Sequence, residues 1–344
     1  MQPPASSAVH APPPEVTLAQ MLWGALMQRS LCVATKLGVP DLLAAQPQTA
    51  ADLATQTGAN EPSLYRLLRT LASAGIFSET HDHRFELTPI SQLLRRDVPG
   101  SMRDLAVMFA EDWQWRNWGE LMHCVMTGNA AQHKLYGMDS FAYFTAQPAL
   151  GAVFNRAMTG LSAAVAPAIA EAYDFSRTST VVEVAGGHGL LLAAILKRNP
   201  KMRGILFDLP DVLVGCGELL DREGVRDRVE LAAGDFFQSV TPGADLYTMK
   251  HIIHDWDDAK SLQILRNIRA AMKPDGRVLT IEMVVPEGNE PSPSKILDLQ
   301  MMIMEGGKER TAGEYEALYE LAGLGLTRIL PTMSPFSLIE GKIR

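Results

Sequence analysis

The spacing of apolar residues changes near residue 180, and this change predicts two kinds of structure. Before it, apolar residues recur at helical intervals, as at Leu18, Met21, Leu22, Ala25 and Leu26. After it, apolar runs of strand length alternate with helical segments, which is typical of a parallel α/β sheet. The pattern therefore predicts a helical front part followed by an α/β part.

The first hundred residues predict a winged-helix module behind a proline-rich leader. Residues 1–16 contain five prolines and no periodicity, and we expect them to be disordered. A helix is predicted over residues 17–45. Thr49 is the predicted N-cap of a short helix that Gly58 ends, and Asn60 is the predicted N-cap of the next helix. The segment RFELTP then predicts a strand, which completes the helix, turn, helix and strand of a winged helix.

The second part contains seven predicted strands, of which the last two form a hairpin. Residues 101–176, which precede the strands, are predicted to be helical and are rich in aromatic side chains. The predicted strands are TVVEVAG, MRGILFD, VELAAGD, ADLYTMKHII, RVLTIEMVV, LTRILPTM and FSLIEGKIR. A helix over Glu314–Ala322 precedes the last pair, and the short connection within this pair predicts an antiparallel hairpin that closes the sheet.

Composition and charge narrow the possible functions. Hydrophobic residues make up 47% of the 344 residues and charged residues 20%, which excludes a disordered chain. The net charge of -8 argues against nucleic acid or an anionic membrane as a partner. Cys32, Cys124 and Cys216 form no CxxC motif, so we interpret them as small buried hydrophobic residues. Since no basic start of a signal peptide and no uninterrupted apolar span are found, we expect a cytoplasmic protein.

Ionisable residues stand at or just after the ends of five predicted strands. These residues are Glu183, Asp208, Asp235, His254 and Glu282. A buried parallel strand is apolar throughout, so polar side chains at its end are informative. Because open α/β sheets bind ligands at the carboxyl ends of their strands, we predict a binding site at this edge.

The loop AGGHG, residues 185–189, follows the first of these strands and opens a helix. Glycines there let the backbone approach a ligand and present N–H groups at a helix N-terminus. The dinucleotide fingerprint fails because Leu192 stands at its third glycine position, and the phosphate-binding GxxxxGK[ST] motif is absent. With Asp208 about twenty residues further on as a ribose ligand, the pattern favours a nucleoside without phosphates, S-adenosylmethionine.

A resemblance to a known family rests on six motifs: VVEVAGGHG, FDLPDV, AGDFF, MKHIIHDW, IEMVVP and GGKERT. The chain resembles the S-adenosylmethionine-dependent small-molecule O-methyltransferases of the caffeic-acid and hydroxyindole type, whose bacterial relatives modify polyketides and phenazines in secondary metabolism. The resemblance covers nearly the whole chain, and HDW followed by GGKERT is its most specific part. It implies a class I methyltransferase domain with a Rossmann-like seven-stranded sheet, and an N-terminal winged-helix domain that forms a homodimer.

The resemblance also implies domain boundaries and a cofactor cycle. The dimerisation domain would span residues 17–100, and the catalytic domain residues 101–344. Within the latter, the helical segment 101–176 would supply the pocket for the acceptor. The cofactor would be S-adenosylmethionine, with S-adenosylhomocysteine as the product, and no metal ligands are implied.

Individual roles follow from the same resemblance. His254 matches the general base, flanked by Glu282 and Glu309. The implied cofactor-binding residues are Ser162, Glu183, Gly186, Gly187, Gly189, Asp208, Asp235, Phe236 and Lys250. The implied residues of the acceptor pocket are Met158, Asp255, Met301 and Met304.

Some residues keep a second interpretation or depart from the family. Met301, Met302 and Met304 have near-helical spacing, which is more typical of a core than of a pocket wall. His251 is interpreted as a buried histidine with a structural role. Ala185 stands where the family usually has glycine, Glu183 stands where aspartate is common, and Met304 replaces a polar residue of many plant members, so the acceptor cannot be copied from them.

The predicted function is methyl transfer from S-adenosylmethionine to a hydroxyl of an aromatic or polyketide-like small molecule. Two alternatives stay open within the family: methylation of nitrogen or carbon on a heteroaromatic acceptor, and a member that keeps the cofactor for hydroxylation or rearrangement. A DNA-binding regulator is the third, suggested by the winged helix. The first hundred residues of this chain carry seven basic and eight acidic side chains, which is a poor balance for neutralising the phosphates of DNA.

Overall fold

The computed structural model describes residues 12–344, which form two compact units that divide after Glu111. The predicted domain boundary is at residue 100. The first unit extends beyond it because helix α6 (Arg103–Met108) packs against helix α1 (Pro14–Lys36). Of the predicted disordered leader, residues 1–11 lie outside the described residues.

The first unit contains six helices and a small antiparallel sheet. In addition to α1 and α6, its helices are α2 (Val39–Leu42), α3 (Ala50–Thr57), α4 (Glu61–Ser73) and α5 (Pro89–Gln92). Its strands are β1 (Gln48–Thr49), β2 (Phe77–Glu79) and β3 (Arg84–Leu87), in the order β1-β3-β2. The predicted RFELTP strand is confirmed as β3, which pairs with two short strands that the sequence analysis did not predict.

The predicted helix caps of this unit are confirmed. The Thr49 hydroxyl accepts a hydrogen bond from the Asp52 amide at 3.2 Å, and the Asp52 side chain bonds back to the Thr49 amide. Gly58 ends α3 in the left-handed conformation, with φ of 71°. The side chain of Asn60 caps α4 in the same way as Thr49 caps α3. These caps set the two helices around a core of leucines and phenylalanines.

The predicted helix over 17–45 is wrong at both ends. It begins at Pro14, because proline is well suited to the first helical turn and Glu15 follows it there. The last three residues of the predicted leader therefore belong to α1. The helix ends at Lys36, and Gly38, with φ of 73°, separates it from α2.

Helix α1 exposes an apolar face. The side chains concerned are Leu18, Met21, Leu22, Trp23 and Leu26, which are between 59% and 73% exposed. Contiguous apolar surface of this kind marks an interaction site in soluble proteins.

The second unit contains eleven helices and a seven-stranded sheet. The helices are α7 (Asp112–Gly119), α8 (Leu121–Thr127), α9 (Ala131–Tyr136), α10 (Ser140–Ala146), α11 (Pro148–Ala172), α12 (Leu190–Arg198), α13 (Pro210–Leu213), α14 (Cys216–Arg222), α15 (Asp258–Ala271), α16 (Pro293–Met304) and α17 (Ala312–Leu321). The strands are β4 (Thr180–Val184), β5 (Arg203–Asp208), β6 (Val229–Ala233), β7 (Leu246–Lys250), β8 (Arg277–Glu282), β9 (Leu324–Pro331) and β10 (Ser337–Ile343). Two single 3₁₀ turns cover Arg226–Arg228 and Ile253–Asp255.

The sheet has the order β6-β5-β4-β7-β8-β10-β9 and confirms the predicted fold class. Strands β4 to β8 pair in parallel, and β10 pairs antiparallel with both β8 and β9. The chain order reverses direction at β4, which lies between β5 and β7. This point is where an open α/β sheet forms its ligand crevice.

Several predicted strands extend past their observed ends, as VELAAGD, RVLTIEMVV and LTRILPTM do, and in two others a non-glycine residue takes the left-handed conformation directly after the strand. Strand β4 ends at Val184, since Ala185 has φ of 52°. Strand β7 ends at Lys250, since His251 has φ of 55°, so the predicted extension to Ile253 is wrong. The helix predicted from Glu314 begins earlier, at Ala312, behind the capping residue Thr311.

All three cysteines are buried, as predicted. Among residues 12–344, no helix is both long enough and apolar enough to cross a bilayer.

Candidate active site

The AGGHG loop is held tightly against the sheet edge. The Ala185 amide donates to the Phe207 carbonyl at 2.7 Å, which ties the loop to the neighbouring strand. A Cβ on Gly186 would lie 2.5 Å from the Leu206 side chain and 2.8 Å from that of Glu183, so a larger residue there would force these side chains to move. Gly189 caps α12 with φ of 79°, a conformation that side-chain-bearing residues rarely adopt.

Two carboxyl groups hold this loop and the start of α12 by hydrogen bonds to their backbone amides. Glu183 accepts a hydrogen bond from the Leu192 amide at 3.0 Å, in the first turn of α12. Asp208 accepts from the Gly187 amide at 2.8 Å and from the Leu209 amide at 2.7 Å. Burial raises the pKa of Glu183 to about 8 and that of Asp208 to about 6. Asp208 remains partly exposed, so its oxygens can accept further hydrogen bonds from a ligand.

Lys250 lies between the loop and the groups at the next strand end. Burial lowers the pKa of its ammonium, while the charges of Glu183, Glu282 and Asp255 oppose this shift. Its Nζ also lies 5.6 Å from the ring centre of Phe336. The ionisable side chains at the ends of β4, β7 and β8 therefore lie close enough for their charges to interact.

The centre of this group is His254, which is 3% exposed. Its Nδ1 lies 2.6 Å from Glu309 Oε1 and 3.9 Å from Glu282 Oε2. Its Nε2 lies 3.4 Å from Asp255 Oδ1. The predicted association of His254 with two glutamates is thus present in the structure, and a third carboxyl group joins it.

These carboxyl groups are shifted towards neutrality by their surroundings. Burial raises the pKa of Glu309 to about 8 and that of Glu282 to about 7. Burial also raises the pKa of Asp255 to about 7, with the charge of His254 opposing the shift and those of Glu282, Glu305 and Glu309 adding to it. Perturbed groups gathered at one edge are typical of a catalytic site.

Glu282 also shapes the backbone that carries the histidine. Its Oε1 accepts hydrogen bonds from the amides of Ile252 and Ile253 at 3.1 and 3.0 Å. These bonds hold the 3₁₀ turn over Ile253–Asp255 against the end of β8. Glu282 therefore positions His254 through the main chain as well as facing it through Oε2.

Arg310 is a residue of the site that the sequence analysis missed. Its guanidinium is fully buried and donates to the carbonyls of Ile253 at 2.9 Å and Trp256 at 3.0 Å. It also donates to Ser261 and to the carboxylate of Asp258. The signal was present, since Arg310 stands in the quoted GGKERT motif next to Glu309.

The same motif contains a close backbone contact. A Cβ on Gly307 would lie 2.1 Å from the carbonyl oxygen of His254 and 2.4 Å from the carbonyl carbon of Asp255. Only glycine can pack against the turn at this distance. The spacing of HDW and GGKERT in the sequence therefore reflects direct contact between the two segments.

His251 packs directly on the histidine of the site. The two rings are stacked, with centres 4.3 Å apart and planes 20° apart. Burial holds the pKa of His251 well below its usual value, with the charges of His254 and Lys250 acting in the same direction. His251, His254 and Glu282 place one ligand-type atom each within 4.8 Å of one another. They could hold a metal ion, and the absence of a metal site stays a prediction.

Of the remaining predicted residues, Asp235 and Phe236 follow β6, and Met158 and Ser162 lie on α11. Asp235 accepts from the Phe237 amide at 2.8 Å, and the ring of Phe236 lies edge-on to Trp256 at 6.3 Å. Met158 and Ser162 are partly buried in α11. Thr159, between them, has its hydroxyl 3.0 Å from Nδ1 of His188 in the AGGHG loop, a link that the sequence analysis missed.

The three methionines of α16 differ in burial, and one of them contacts a polar side chain. Met301 and Met304 are buried, and Met302 is partly buried. The sulfur of Met304 lies 3.6 Å from the side-chain amide nitrogen of Asn117 in α7. Met304 therefore contacts polar side chains, which is not what a purely apolar core provides.

Two family models match the chain. Residues 118–325 match the O-methyltransferase domain, and residues 19–97 match the O-methyltransferase dimerisation domain.

Three curated relatives are similar over more than nine-tenths of the chain. A phenazine O-methyltransferase of Lysobacter antibioticus is 45% identical over 94% of this chain and 95% of its own length. A mitomycin biosynthesis 6-O-methyltransferase of Streptomyces lavendulae is 41% identical over 95% of this chain and 94% of its own. A phenazine-1-carboxylate N-methyltransferase of Pseudomonas aeruginosa is 33% identical over 91% and 92%.

Solved structures give the same result. The crystal structure of LaPhzM has a TM-score of 0.94 and 44% identity, and it covers 97% of this chain and 100% of that chain. An O-methyltransferase from neocarzinostatin biosynthesis was solved with S-adenosylmethionine and 2-hydroxy-5-methyl naphthoic acid. It has a TM-score of 0.81 and 31% identity, and it covers 98% of this chain and 100% of that chain.

Proposed function

The chain belongs to the family of S-adenosylmethionine-dependent small-molecule O-methyltransferases, and from that premise we propose that it methylates a hydroxyl group of a fused-ring aromatic molecule. The two most similar of the relatives above are named for O-methylation in phenazine and mitomycin chemistry. The neocarzinostatin enzyme was solved with a hydroxylated naphthoic acid. These acceptors share a flat fused ring system, and this shared chemistry supports the proposal.

The cofactor is S-adenosylmethionine, which supplies an electrophilic methyl group when bound. The residues of the loop fit it, because Gly186 allows the backbone to approach closely and Asp208 keeps oxygens available for ribose hydroxyls. We propose that it is held by the residues implied by the resemblance. These are Ser162, Glu183, Gly186, Gly187, Gly189, Asp208, Asp235, Phe236 and Lys250.

The observation that carries the proposal is the contact between His254 and Glu309. With Glu309 ionised, Nδ1–H donates to its carboxylate, and this bond leaves the lone pair on Nε2. Nε2 then accepts the proton of the acceptor hydroxyl, and the carboxylates of Asp255 and Glu282 stabilise the imidazolium that forms. His254 is thus proposed as the catalytic base, with Glu309 as the residue that orients it.

The free energy of proton transfer can be compared with the contribution of alignment to the activation barrier. The pKa of a phenol is about 10 and that of an ordinary histidine about 6.5, so complete proton transfer in advance would cost about 5 kcal/mol. Aligning the hydroxyl with the methyl group can lower the activation barrier by roughly 7–11 kcal/mol. The contribution of alignment is larger than this cost, so the proposed mechanism combines alignment with proton transfer during attack.

N-methylation is the second candidate, because one relative is named an N-methyltransferase. A tertiary ring nitrogen attacks through its lone pair and has no proton to lose, so it does not need a base. The buried base with three carboxyl neighbours therefore supports an acceptor group that loses a proton, such as a hydroxyl, over a ring nitrogen that carries none.

We also propose that the chain acts as a homodimer. The N-terminal unit matches a dimerisation domain, and α1 exposes an apolar face that a second copy of the chain would cover.

The test of the proposed function is His254→Ala assayed with methyl-labelled S-adenosylmethionine and a panel of hydroxylated naphthalenes, quinones and phenazines. We expect label on oxygen with the wild type, and a loss of turnover of about a thousandfold in the variant. Cofactor affinity should stay within a few-fold. His83→Ala, which alters an exposed histidine of the first unit, is the matched control. Equal loss of cofactor binding and turnover in His254→Ala would contradict the role of a base.

A further inference from the structure

Two buried amide side chains lie beside Met304. Asn117 in α7 and Gln132 in α9 are both 0% exposed. The side-chain nitrogen of Asn117 donates to the side-chain oxygen of Gln132 at 2.9 Å, and it also lies 3.6 Å from the sulfur of Met304. The two amides thus form one hydrogen-bonded pair in contact with the helix that carries the predicted pocket methionines.

The other half of each amide has no hydrogen-bond partner among the residues that the structure describes. The atoms concerned are Oδ1 of Asn117 and Nε2 of Gln132, and both are buried. If oxygen and nitrogen were exchanged in both side chains, the pair would still present one free acceptor and one free donor. An unpaired buried polar group costs about 1–3 kcal/mol, so two of them side by side call for a ligand.

A neighbouring amide pair shows that burial on this helix does not by itself leave atoms unpaired. Gln300 of α16 donates to Gln114 at 2.9 Å and accepts from the indole of Trp118 at 2.8 Å. Gln114 and Gln300 are 2% and 5% exposed, and among the described residues neither has a side-chain atom that is both buried and unpaired. Of these two amide pairs, the one that touches Met304 is therefore the one with unpaired buried atoms.

The pair is also linked to the surroundings of the base. Met304 is followed by Glu305, whose carboxylate accepts from the Ser140 amide at 2.7 Å. The charge of Glu305 acts on Asp255, which lies 3.4 Å from Nε2 of His254. Met304 and Glu305, at the end of α16, therefore connect the amide pair to the carboxyl groups around the base.

Building on the proposed function, we propose that Asn117 and Gln132 bind the acceptor through a second polar group on the edge of the ring system away from the reacting hydroxyl. Asn117 accepts a hydrogen bond from this group, and Gln132 donates one to it. The group must therefore both donate and accept, as a second hydroxyl does. The acceptor class is a fused-ring aromatic with at least two hydroxyl-like groups. A site built to bond such a group rejects the analogue that lacks it, because the buried amides stay unpaired.

The experiment compares 1-naphthol with 1,5-dihydroxynaphthalene, which differ only in the second hydroxyl. Their dissociation constants are measured by calorimetry on protein saturated with S-adenosylhomocysteine, and methyl transfer is measured separately. We expect the wild type to bind the dihydroxy compound at least about tenfold more tightly, since a matched hydrogen bond in such a site discriminates by at least that factor. A wild type that binds both equally overturns the inference.

The variant is Asn117→Leu/Gln132→Met, which replaces both partners by apolar side chains of similar size and so leaves no half-paired amide. We expect the preference to fall to about twofold or less while 1-naphthol binding is kept. Gln114→Leu/Gln300→Met alters the neighbouring paired amides and is the matched control, which should keep the preference. Preference retained in the first variant, or equal loss of both compounds in it, would overturn the proposal.

The two assays separate this inference from the proposed function. Selective binding by the wild type without methyl transfer to either compound would contradict the proposed O-methylation and uphold the amide pair. Methyl transfer to both compounds without selective binding would do the reverse.

Discussion

The proton shared by His254 and Glu309 sets the pH range of the proposed reaction. Burial raises the pKa of Glu309 to about 8. A protonated Glu309 donates to Nδ1 and leaves the ring proton on Nε2, where it blocks the base. Ionisation of Glu309 reverses this arrangement, so activity rises as the pH increases through about 8.

The pH profile of kcat/KM tests this interpretation. We expect a rising limb with an apparent pKa near 8, the value to which burial raises the pKa of Glu309. Glu309→Gln removes the titrating group and should flatten this limb, with kcat about 10- to 100-fold lower because the charge that stabilises the imidazolium is gone. Glu314→Gln, which changes a glutamate at the start of α17, is the control. A rising limb that survives unchanged in Glu309→Gln would assign it to another group.

Single residues also show what a sequence can and cannot predict about the site. Glu183, Asp208 and Glu282 were identified because a charge at the end of an apolar strand has no structural reason to be there. Arg310 does not stand at the end of an apolar strand, and its one signal in the sequence is its place next to Glu309 in the GGKERT motif. Its role depends on two carbonyls that become unpaired only when the turn over Ile253–Asp255 forms.

At the scale of elements, the site depends on one short turn held from two sides. Glu282 binds the amides at its start, and Arg310 binds the carbonyls of Ile253 and Trp256. Gly307 packs against its backbone. The turn is too short to be stable alone, so these contacts fix where His254 points.

Arg310→Met should therefore destabilise the second unit and abolish activity. Two carbonyls lose their partner, and at 1–3 kcal/mol each we expect a loss of about 3 kcal/mol in the free energy of unfolding. Urea denaturation measures it. Lys308→Met is the matched control, since Lys308 also pairs with Asp258 but is exposed, and it should cost under about 1 kcal/mol. Equal losses in the two variants would mean that the buried carbonyl contacts contribute nothing.

The elements themselves were largely predictable, and their ends were not. All seven strands of the large sheet follow from apolar runs of strand length. The predicted extension of β7 to Ile253 fails because apolar residues continue past Lys250 while His251 turns the backbone into the left-handed region. Histidine is enriched in this region relative to most other residues, but it adopts it too rarely for one histidine in an apolar run to predict a turn.

At the scale of the whole molecule, the exposed face of α1 argues for assembly. Leu22 and Leu26 would be core residues by their helical spacing, yet they are 69% and 62% exposed in a single chain. The sequence predicts the amphipathic helix, but it cannot tell a face that packs within the chain from one that packs on a second copy.

Leu22→Glu should convert the proposed homodimer into monomers, because it places a charge in the apolar contact. Light scattering coupled to gel filtration would record a halved mass. Leu321→Glu alters an equally exposed leucine of the second unit and should leave the mass unchanged. A wild type that already elutes as a monomer would refute the assembly.

The burial of the base also governs how the proton leaves in the proposed catalytic cycle. His254 is 3% exposed, and Glu282 and Glu309 are buried with it, so a proton taken from one acceptor has no direct path to bulk water. Asp255 lies 3.4 Å from Nε2 and is partly exposed, so we expect the proton to reach water through this carboxyl group. The return of the histidine to its neutral form between turnovers would then depend on Asp255 rather than on direct contact with buffer molecules.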